Sequence, residues 1–480
     1  MKIMKYIYKT ISLFAIVSVL SLFTTSCEDF LNAPLPPDKI TPEKVFGSKG
    51  TIEMAMLGIY SKASKFYGSG SMVYRTECLA DNLSRNPPLA MDIMSSSAYD
   101  ANNSATLSSL WSVPYSVIYE ANVMLENLPI SPAKLSTQVI DQYLAQNLFI
   151  RALMHFELLR FYGDIPLVLN SDPIESAMLA RSPKAEVYAS IITDLKDAIN
   201  KLPETNISGM DARRCANKNV AKALLARVYL HMGDWINAET YATEVINSGK
   251  YALEADLTTV LMRRSKEIIF SMDGSMASAP NSCFYYSLQG MPMMYQMMPV
   301  PYRWKYSGWG CLTQSAINEF ETGDQRFSKL FTYSLEKNVF TLKYPYGIIT
   351  QEMADEDPQD FCILRLAEMY LIRAEAKVRK SSPDLTGAAA DLNLIRTTHG
   401  KLANTTATTQ AALLLALEHE NRIEFMCESH RWYDIVRTGR ADAILSKESN
   451  KTGWKSHKSL LPIPTNELII NKKLVQNPGY

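Results

Sequence analysis

Residues 219–248 restrict the possible folds more than any other part of the chain. Apolar residues recur there at steps of three and four positions, first as Ala221, Leu225, Val228 and Met232 and then as Ala238, Tyr241 and Val245. This spacing places apolar side chains on one face of an α-helix. The break between the two runs is Gly233-Asp234-Trp235, a typical turn composition. The sequence therefore predicts two helices packed as a hairpin.

A helix, a Gly-Asp-aromatic turn and a second helix with an early alanine resemble a tetratricopeptide (TPR) hairpin, in which small residues let two helices approach closely. Any other helical hairpin would show the same pattern. The predicted helix pairs are 51–66 with 102–128, 142–162 with 183–202, the two halves of 219–248, and 361–379 with 388–396. Because each repeat buries its apolar face against its neighbours, we expect a mostly α fold, a TPR-like right-handed superhelix of about four helix pairs.

Residues from about 250 to 360 interrupt the helical pattern. This interval contains clusters of Gly, Pro, Tyr and Met, and short β-prone runs such as Glu267 to Met272. Long irregular segments in compact domains are often functional. We predict a single domain at 51–480, with an irregular, loop-rich insertion at about 250–360 that carries the ligand face.

The N-terminal segment predicts export and lipid attachment. Three lysines precede an apolar run of 13 residues, Ile11 to Phe23, which is shorter than the roughly 20 residues that span a bilayer. Small residues then lead to Cys27, as in the lipobox of bacterial lipoproteins, although Thr24 stands where Leu or Val is usual. An ordinary secretory signal with a chance cysteine is the alternative. We predict a signal peptide at 1–26, lipidation of Cys27 (diacylglycerol and a further acyl chain such as palmitate), and an extended strap at 27–50.

Charge adds information about location and partners. Cleavage after residue 26 removes three lysines and no acidic residue, so 49 basic and 49 acidic residues become 46 and 49 and the net charge becomes −3. The chain also has no long basic block, which argues against nucleic acid as a partner. Glu28 and Asp29 directly after Cys27 are similar to the signals that retain or display such lipoproteins. This favours a lipid-anchored position in the outer membrane, facing outward.

No common catalytic or cofactor motif is present. H-E-x-x-H, G-x-S-x-G and Walker patterns are absent, so we predict no enzyme activity, no cofactor and no metal site. The acidic run Asp355–Asp360 lacks the glycine and glutamate of an EF-hand and is interpreted as a solvated loop. Residues 418–420 are interpreted as a charged helix face. Six cysteines follow Cys27 without a C-x-x-C pair and are interpreted as buried small residues rather than a disulfide framework, with Cys283 and Cys311 as the first pair to test.

A further group of charged residues is interpreted as scaffold. Opposite charges three or four positions apart on a helix pair with each other, and a helix end in a packed repeat needs such groups as much as a catalytic site does. These residues are Arg365, Glu368, Arg373, Glu375, Arg422, Glu424, Arg431 and Asp434.

Aromatic residues concentrate in the predicted insertion. Sugar rings have an apolar C–H face and a polar edge, so flat aromatic side chains beside hydrogen-bond donors suit them. The alternative is that these rings fill the junction between the insertion and the helices. The residues predicted to bind ligand here are Tyr285, Tyr302, Trp304 and Trp309.

The order of several short motifs resembles the SusD/RagB family of outer-membrane nutrient-binding lipoproteins over nearly the whole mature length. The motifs are CEDFL at 27–31, ADN at 80–82, RALMHF at 151–156, YGDIP at 162–166, AKALLARVY at 221–229, LRLAEMYLIRAEA at 364–376, DLNLIR at 391–396, ENRIEF at 420–425, HRWYD at 430–434, LPIP at 461–464 and QNPGY at 476–480. No single motif is decisive, but their order and the terminal QNPGY make the match strong.

The resemblance implies a function. Family members combine an eight-helix TPR scaffold with a loop-rich face that binds a nutrient, often a glycan, and dock as a lid on a SusC-like TonB-dependent transporter. In the family, ligand contacts also come from the loop between the two helices of the first pair, where Tyr74, Asn82, Arg85 and Tyr99 are the candidates in this sequence. We therefore expect capture of an oligosaccharide and its delivery to such a transporter. Peptide or other non-sugar cargo, a surface glycoside hydrolase with two carboxylates in a cleft, and a TPR adaptor for proteins are the alternatives.

Overall fold

The computed structural model describes residues 42–68, 72–84, 93–103, 107–205, 213–272, 311–333, 338–341, 343 and 360–480, and these are mainly helical. The α-helices are α1 (Pro42–Phe46), α2 (Lys49–Gly68), α3 (Met72–Leu79), α4 (Ser108–Asn127), α5 (Thr137–Tyr162), α6 (Pro173–Ser176), α7 (Lys184–Lys201), α8 (Lys218–Met232), α9 (Trp235–Asn247), α10 (Gln314–Asn318), α11 (Gln325–Leu330), α12 (Leu366–Arg379), α13 (Leu385–Ile395), α14 (Gln410–Glu424), α15 (Arg431–Arg437), α16 (Ala441–Leu445) and α17 (Thr465–Ile470). None of these described helices has the length and hydropathy needed to cross a membrane.

The hairpin predicted at 219–248 is present as α8 and α9. The Asn217 side chain accepts hydrogen bonds from the first backbone N–H groups of α8 and so caps its N-terminus. Gly233 ends α8 with φ of +79°, a left-handed conformation that glycine adopts without steric cost. The Asp234 side chain then caps α9 by accepting from the Asn237 amide. Tyr229 and Tyr241 stack across the hairpin with ring centroids 5.7 Å apart.

The predicted helix pairs are all present: α2 packs on α4, α5 on α7, α8 on α9, and α12 on α13. Contacts of α4 with α5, α7 with α8, and α9 with α12 join the pairs into one continuous stack. Buried alanines such as Ala367, Ala374 and Ala388 let α12 and α13 approach closely, and Leu413 and Leu417 of α14 close this part of the core. Residues 46–480 form one compact unit in the described part of the chain.

The described end of the predicted strap is helical rather than extended, because α1 lies within 27–50 and α2 begins at Lys49. Pro42 occupies the first position of α1 and Glu43 its first turn. Both residues favour a helix N-terminus.

Short strands accompany the helices. They are β1 (Leu83–Ser84), β2 (Ile268–Met272), β3 (Cys311–Leu312), β4 (Phe331–Tyr333), β5 (Val339–Thr341) and β6 (Phe361–Arg365). They pair antiparallel as β1 with β3, β2 with β6, and β4 with β5. The β-prone run at 267–272 is thereby confirmed as β2. The insertion predicted at about 250–360 is described only in part, and that part contains β2 to β5 and the short helices α10 and α11.

The expectation of helix from residue 361 was wrong for its first five residues, which form β6. Arg365 still has extended backbone, with φ of −139°, and α12 begins at Leu366. A short apolar run cannot be assigned to strand or helix by periodicity alone, and here the partner strand β2 decides.

Arg365 lies at the centre of a buried network of charges. Its Nη1 donates to Glu267 and Glu424, both at 2.7 Å. Its Nε donates to Glu428 at 2.7 Å. The interpretation of Arg365 as scaffold therefore agrees with the structure, but its partners lie directly before β2, at the end of α14 and just after α14 rather than on its own helix.

The other charged residues of α12 also pair with different elements. Glu368 accepts from Arg227 of α8, and Glu375 accepts from Arg437 of α15, at 2.6 Å in each case. Arg373 of α12 pairs with Asp391 of α13, also at 2.6 Å. These ion pairs join neighbouring helices, which explains why the sequence carries charges at otherwise buried positions.

Two interpretations of acidic residues need correction. Glu420 belongs to the predicted charged face at 418–420 but is buried, and it accepts a hydrogen bond from Arg326. Asp360 belongs to the predicted solvated loop but is also buried, and it pairs with Arg214 at 2.7 Å and Arg263 at 3.1 Å. The sequence shows that each position carries a carboxylate. It does not show which arginine of another element forms an ion pair with that carboxylate.

Four of the five described cysteines follow the prediction of buried small residues, and the fifth, Cys362, is partly buried. Cys78, Cys215, Cys311 and Cys427 are buried. Cys283 lies outside the described residues, so its pairing with Cys311 stays a prediction.

Candidate functional site

The pairing of β1 with β3 connects the two parts of the chain that carry the predicted ligand residues. Ser84 is the register partner of Cys311, and Leu83 of Leu312. The chain continues from Ser84 directly into Arg85, and it reaches Cys311 directly after residues 273–310. The residues Arg85, Tyr285, Tyr302, Trp304 and Trp309 themselves lie outside the described residues, as does Cys27. Both predicted ligand segments are therefore attached at one pair of strands.

Backbone hydrogen bonds fix this attachment. The Thr313 amide donates to the Asn82 carbonyl at 2.9 Å, and the Thr313 hydroxyl donates to the Asp81 carbonyl at 2.6 Å. The same hydroxyl accepts from the Ala316 amide and so caps α10. Threonine at this position thus holds the residues that follow the segment 273–310 against the loop after α3.

Two arginines of the C-terminal helices α14 and α15 donate hydrogen bonds to the same loop. Arg422 of α14 donates to the Asn82 side chain at 3.0 Å. Arg431 of α15 donates to the Asp81 carboxylate at 2.8 and 3.1 Å. The Asn82 amide nitrogen in turn donates to Glu77 of α3 at 2.6 Å. We call these five residues the loop base.

The pKa values of the two carboxyl groups in the loop base are strongly shifted. Burial alone would raise the pKa of Asp81, but the guanidinium groups of Arg431 and Arg422 outweigh it and lower the pKa to about 2. Burial dominates at Glu77 and raises its pKa to about 7, although Asn82 and the Ser429 amide donate to it. The loop base therefore combines a permanently charged cluster with one carboxyl group that titrates near neutral pH.

Two predicted ligand residues lie inside the protein. Asn82 is fully buried within the loop base. Tyr99 is also fully buried, and its hydroxyl donates to the Lys458 carbonyl at 2.7 Å. The Lys458 ammonium donates to the Ser97 carbonyl and lies 5.2 Å from the centre of the Tyr99 ring. In this structure both side chains support the loop rather than face solvent. Tyr74 is half-buried on α3.

Sequence reasoning missed an aromatic cluster in the described part of the insertion. Phe327 of α11 contacts Phe320, Phe331 and Tyr333, with ring centroids 5.0, 6.1 and 5.9 Å away. Tyr333 at the end of β4 is 53% exposed. The signal in the sequence was four aromatic residues within 14 positions. The insertion therefore exposes at least one aromatic ring.

Glu267, His399 and Glu424 bring three potential metal ligands within 4.8 Å of one another. However, His399 Nδ1 lies 2.8 Å from Glu424, while its Nε2 lies 3.3 Å from Glu267. The two ring nitrogens thus face different carboxylates, and Arg365 already donates to both of these. Burial opposes a charge on the ring, but the carboxylates outweigh it and raise the pKa of His399 to about 10. We interpret the cluster as an ion-pair network of the scaffold.

Comparisons with known proteins agree with this architecture. Residues 30–230 match the family model SusD-like_3, described as starch-binding associating with outer membrane, and residues 325–480 match the model of the SusD family. SusD-like protein P2 of Formosa agariphila is 26% identical, with 96% of this chain and 98% of that protein aligned.

Two further comparisons concern proteins with named ligands. The starch-binding protein SusD of Bacteroides thetaiotaomicron is 35% identical over 25% of this chain and 22% of its own length. The solved structure of a laminarin-binding SusD-like protein superposes with a TM-score of 0.74 at 23% identity, covering 90% of this chain and all of that one. The chain thus has the TPR-like helical fold of these proteins and belongs to the SusD/RagB family.

Proposed function

We propose that this protein is a surface lipoprotein of the outer membrane that binds an oligosaccharide and delivers it to a SusC-like TonB-dependent transporter. The observation that carries the proposal is the pairing of Ser84 with Cys311. The segment that begins with Arg85 directly follows one of the two paired strands, and the segment that contains Trp309 directly precedes the other. Both segments are therefore attached at one place on the helical scaffold. Residues from both segments are thereby available to one ligand face.

The chemistry of these segments suits sugars. Tyr285, Tyr302, Trp304 and Trp309 offer flat apolar rings, and Arg85 offers charged donors for hydroxyl groups. An aromatic ring packs against the C–H face of a pyranose, while polar neighbours satisfy its edge. The names of two relatives, one starch-binding and one laminarin-binding, support a glycan as the ligand class.

The buried loop base supports this role by preorganisation. A binding loop loses less entropy on binding when its ends are already fixed. Asp81 and Asn82 at the start of the loop are held by arginines of two C-terminal helices. We therefore propose that Asn82 and Tyr99 act as positioning residues rather than as ligand contacts.

The proposed function includes no catalysis. Glycoside hydrolysis needs two carboxyl groups about 5–10 Å apart in a cleft that admits the sugar. The two carboxylates of the loop base, Glu77 and Asp81, are buried and accept hydrogen bonds from other residues. Glu319 and Glu418 beside them form ion pairs with Arg422 and Arg431. They support the scaffold in this proposal.

A binding panel tests the ligand class. The purified protein is titrated with starch- and laminarin-derived oligosaccharides, acidic oligosaccharides and a peptide digest. We expect saturable binding to at least one glycan and none to the peptides. Binding to peptides alone would contradict the glycan proposal and would indicate that the cargo is a peptide.

Delivery to a transporter needs a separate test. The protein is purified from outer membranes under mild detergent, and co-purifying proteins are identified. We expect a TonB-dependent barrel in a defined stoichiometry. Recovery of the protein without a barrel, at several detergent strengths, would contradict the transporter partner.

A further inference from the structure

A cleft of about 550 Å³ is lined by none of the five loop-base residues. It is bounded by the end of α5, the start of α7, the end of α8, the helix α15 and the C-terminal residues 475–478. Its charged lining residues are Arg160, Asp164, Arg181, Lys184 and Arg437.

The two inner cations are neutralised by the scaffold. Arg160 pairs with Glu157 on α5. Arg437 pairs with Glu375 at 2.6 Å and with Asp434 at 2.8 Å. The charges of Arg160 and Arg437 are therefore balanced by carboxylates of the scaffold. Any further positive charge in the cleft comes from the two cations at its mouth, Arg181 and Lys184.

At the mouth, Arg181 has no carboxylate partner among the described residues. Its guanidinium donates to the backbone carbonyls of Tyr162, Asp164 and Val475 and to the Asn477 side chain. These bonds fix the C-terminal segment against α5 but leave the positive charge without a counter-charge in contact. Arg181 thus has both a structural role and an electrostatic one.

Lys184 is the second cation at the mouth. Its side chain is exposed, and no carboxylate in the described chain lies within ion-pair distance of its Nζ. The acidic lining residue is Asp164, which accepts from the Lys184 backbone amide at 2.8 Å and so caps α7. Two cations therefore face one carboxylate at the mouth of the cleft.

The floor of the cleft is polar. Arg160, His231 and Tyr433 separate the cleft from an inner cavity of about 50 Å³, which they also line. The buried Nε of Arg160 has no hydrogen-bond acceptor among the described residues. Burial, together with the positive charges of Arg160 and Arg437, holds the pKa of His231 well below its ordinary value. Because buried carboxylates balance Arg160 and Arg437, a negatively charged ligand group would be held by the cations at the mouth rather than at this floor.

We propose that this cleft is a second glycan site, which binds an acidic sugar unit by its carboxylate or sulfate group. Lys184 and Arg181 supply the charge, and the exposed side chains of Val475 and Pro478 offer an apolar edge for the ring. The inference rests on the proposed glycan-binding function but uses a surface that shares no residue with the predicted aromatic segments.

Two substitutions with opposite expected effects test the site. Lys184→Gln removes a cation from an exposed side chain and should weaken binding of acidic oligosaccharides by about three- to tenfold. Asp164→Asn removes the opposing charge, keeps the oxygen that caps α7, and should strengthen binding by a similar factor. Lys196→Gln, an exposed lysine on the same helix, is the matched control and should change nothing.

The probes are oligogalacturonides and sulfated galactan oligosaccharides, compared with laminari- and malto-oligosaccharides of equal length by calorimetry. Binding of either acidic probe with the expected response to Lys184→Gln and Asp164→Asn supports the site, and neutral glycans should not respond. Equal effects of Lys184→Gln and Lys196→Gln would overturn it. Failure of both acidic probes while a neutral glycan binds would overturn this inference and leave the proposed function intact, whereas failure of every glycan would contradict both.

Discussion

The guanidinium of Arg422 donates to the Asn82 side chain at 3.0 Å, although the two residues are 340 positions apart in the chain. Arg422 also pairs with Asp81 at 3.0 Å. One buried arginine of α14 therefore holds the start of the loop in which Arg85 lies. This contact couples the stability of the C-terminal helices to the placement of the proposed ligand face.

Replacing Arg422 by Met should destabilise the fold strongly. The change leaves Asn82 without this donor and the buried Asp81 with Arg431 as its remaining arginine. Breaking a buried ion pair from one side typically costs about 3–5 kcal/mol. Chemical denaturation measures the loss. The control is Arg440→Met, since the Arg440 side chain is 44% exposed in its pair with Glu418 and should contribute about 0–1 kcal/mol. Equal midpoints for the two variants would show that the Arg422 contact does not hold the loop.

His399 predicts a specific dependence of stability on pH. Its pKa is about 10 in the folded protein and near 6.5 when unfolded, so its stabilising contribution is complete below pH 6.5 and is lost as pH rises through 10. Replacement of His399 by Gln should therefore cost a few kcal/mol near pH 6 and progressively less between pH 7 and 10. Denaturation of both proteins across this range checks the prediction. A difference in stability that is independent of pH would contradict a charged His399.

The turn between α8 and α9 predicts a second stability effect. Gly233→Val places a β-branched residue at φ of +79°, a conformation that costs such residues about 1–3 kcal/mol. Gly58→Ala is the control, because an added methyl group meets nothing within 4 Å in the middle of α2 and should stabilise by about 0.5–1 kcal/mol. Trp235→Ala should destabilise less than loss of a fully buried ring, since Trp235 is half-buried. Thermal melting measures all three variants, and a Gly233→Val protein as stable as the wild type would contradict this account of the turn.

Much of the helical scaffold follows from the sequence, because its long helices carry periodic apolar patterns and several of them, such as α5, α8 and α9, also carry side-chain N-caps. The pairing of α2 with α4 and of α12 with α13 could be predicted in this way. The strand at 361–365 could not, since its conformation depends on β2 almost 100 positions earlier. The burial of Asn82 and Tyr99 could not be predicted from the sequence either. A polar or aromatic loop residue looks the same in the sequence whether it contacts solvent or a carbonyl such as that of Lys458, 359 positions away.

In the proposed function, membrane attachment depends on a single residue, Cys27. Cys27→Ala should release the protein from the membrane, because two or three acyl chains give firm binding and the variant has no site for their attachment. Fractionation of cells that lack the proposed transporter checks this. A mutant protein that still sediments with outer membranes would contradict lipid anchoring at Cys27.

The most direct test of the central claim is calorimetric titration of a Trp304→Ala, Trp309→Ala double variant with the glycan that the wild-type protein binds, together with a melting curve. The account predicts a large loss of affinity, on the order of 1 kcal/mol or more for each ring, with an unchanged melting temperature. Trp235→Ala serves as the matched control and should show the reverse, a lower melting temperature with retained affinity. Unchanged glycan affinity together with a lowered melting temperature in the double variant would show that these tryptophans are structural, and would contradict the proposed ligand face.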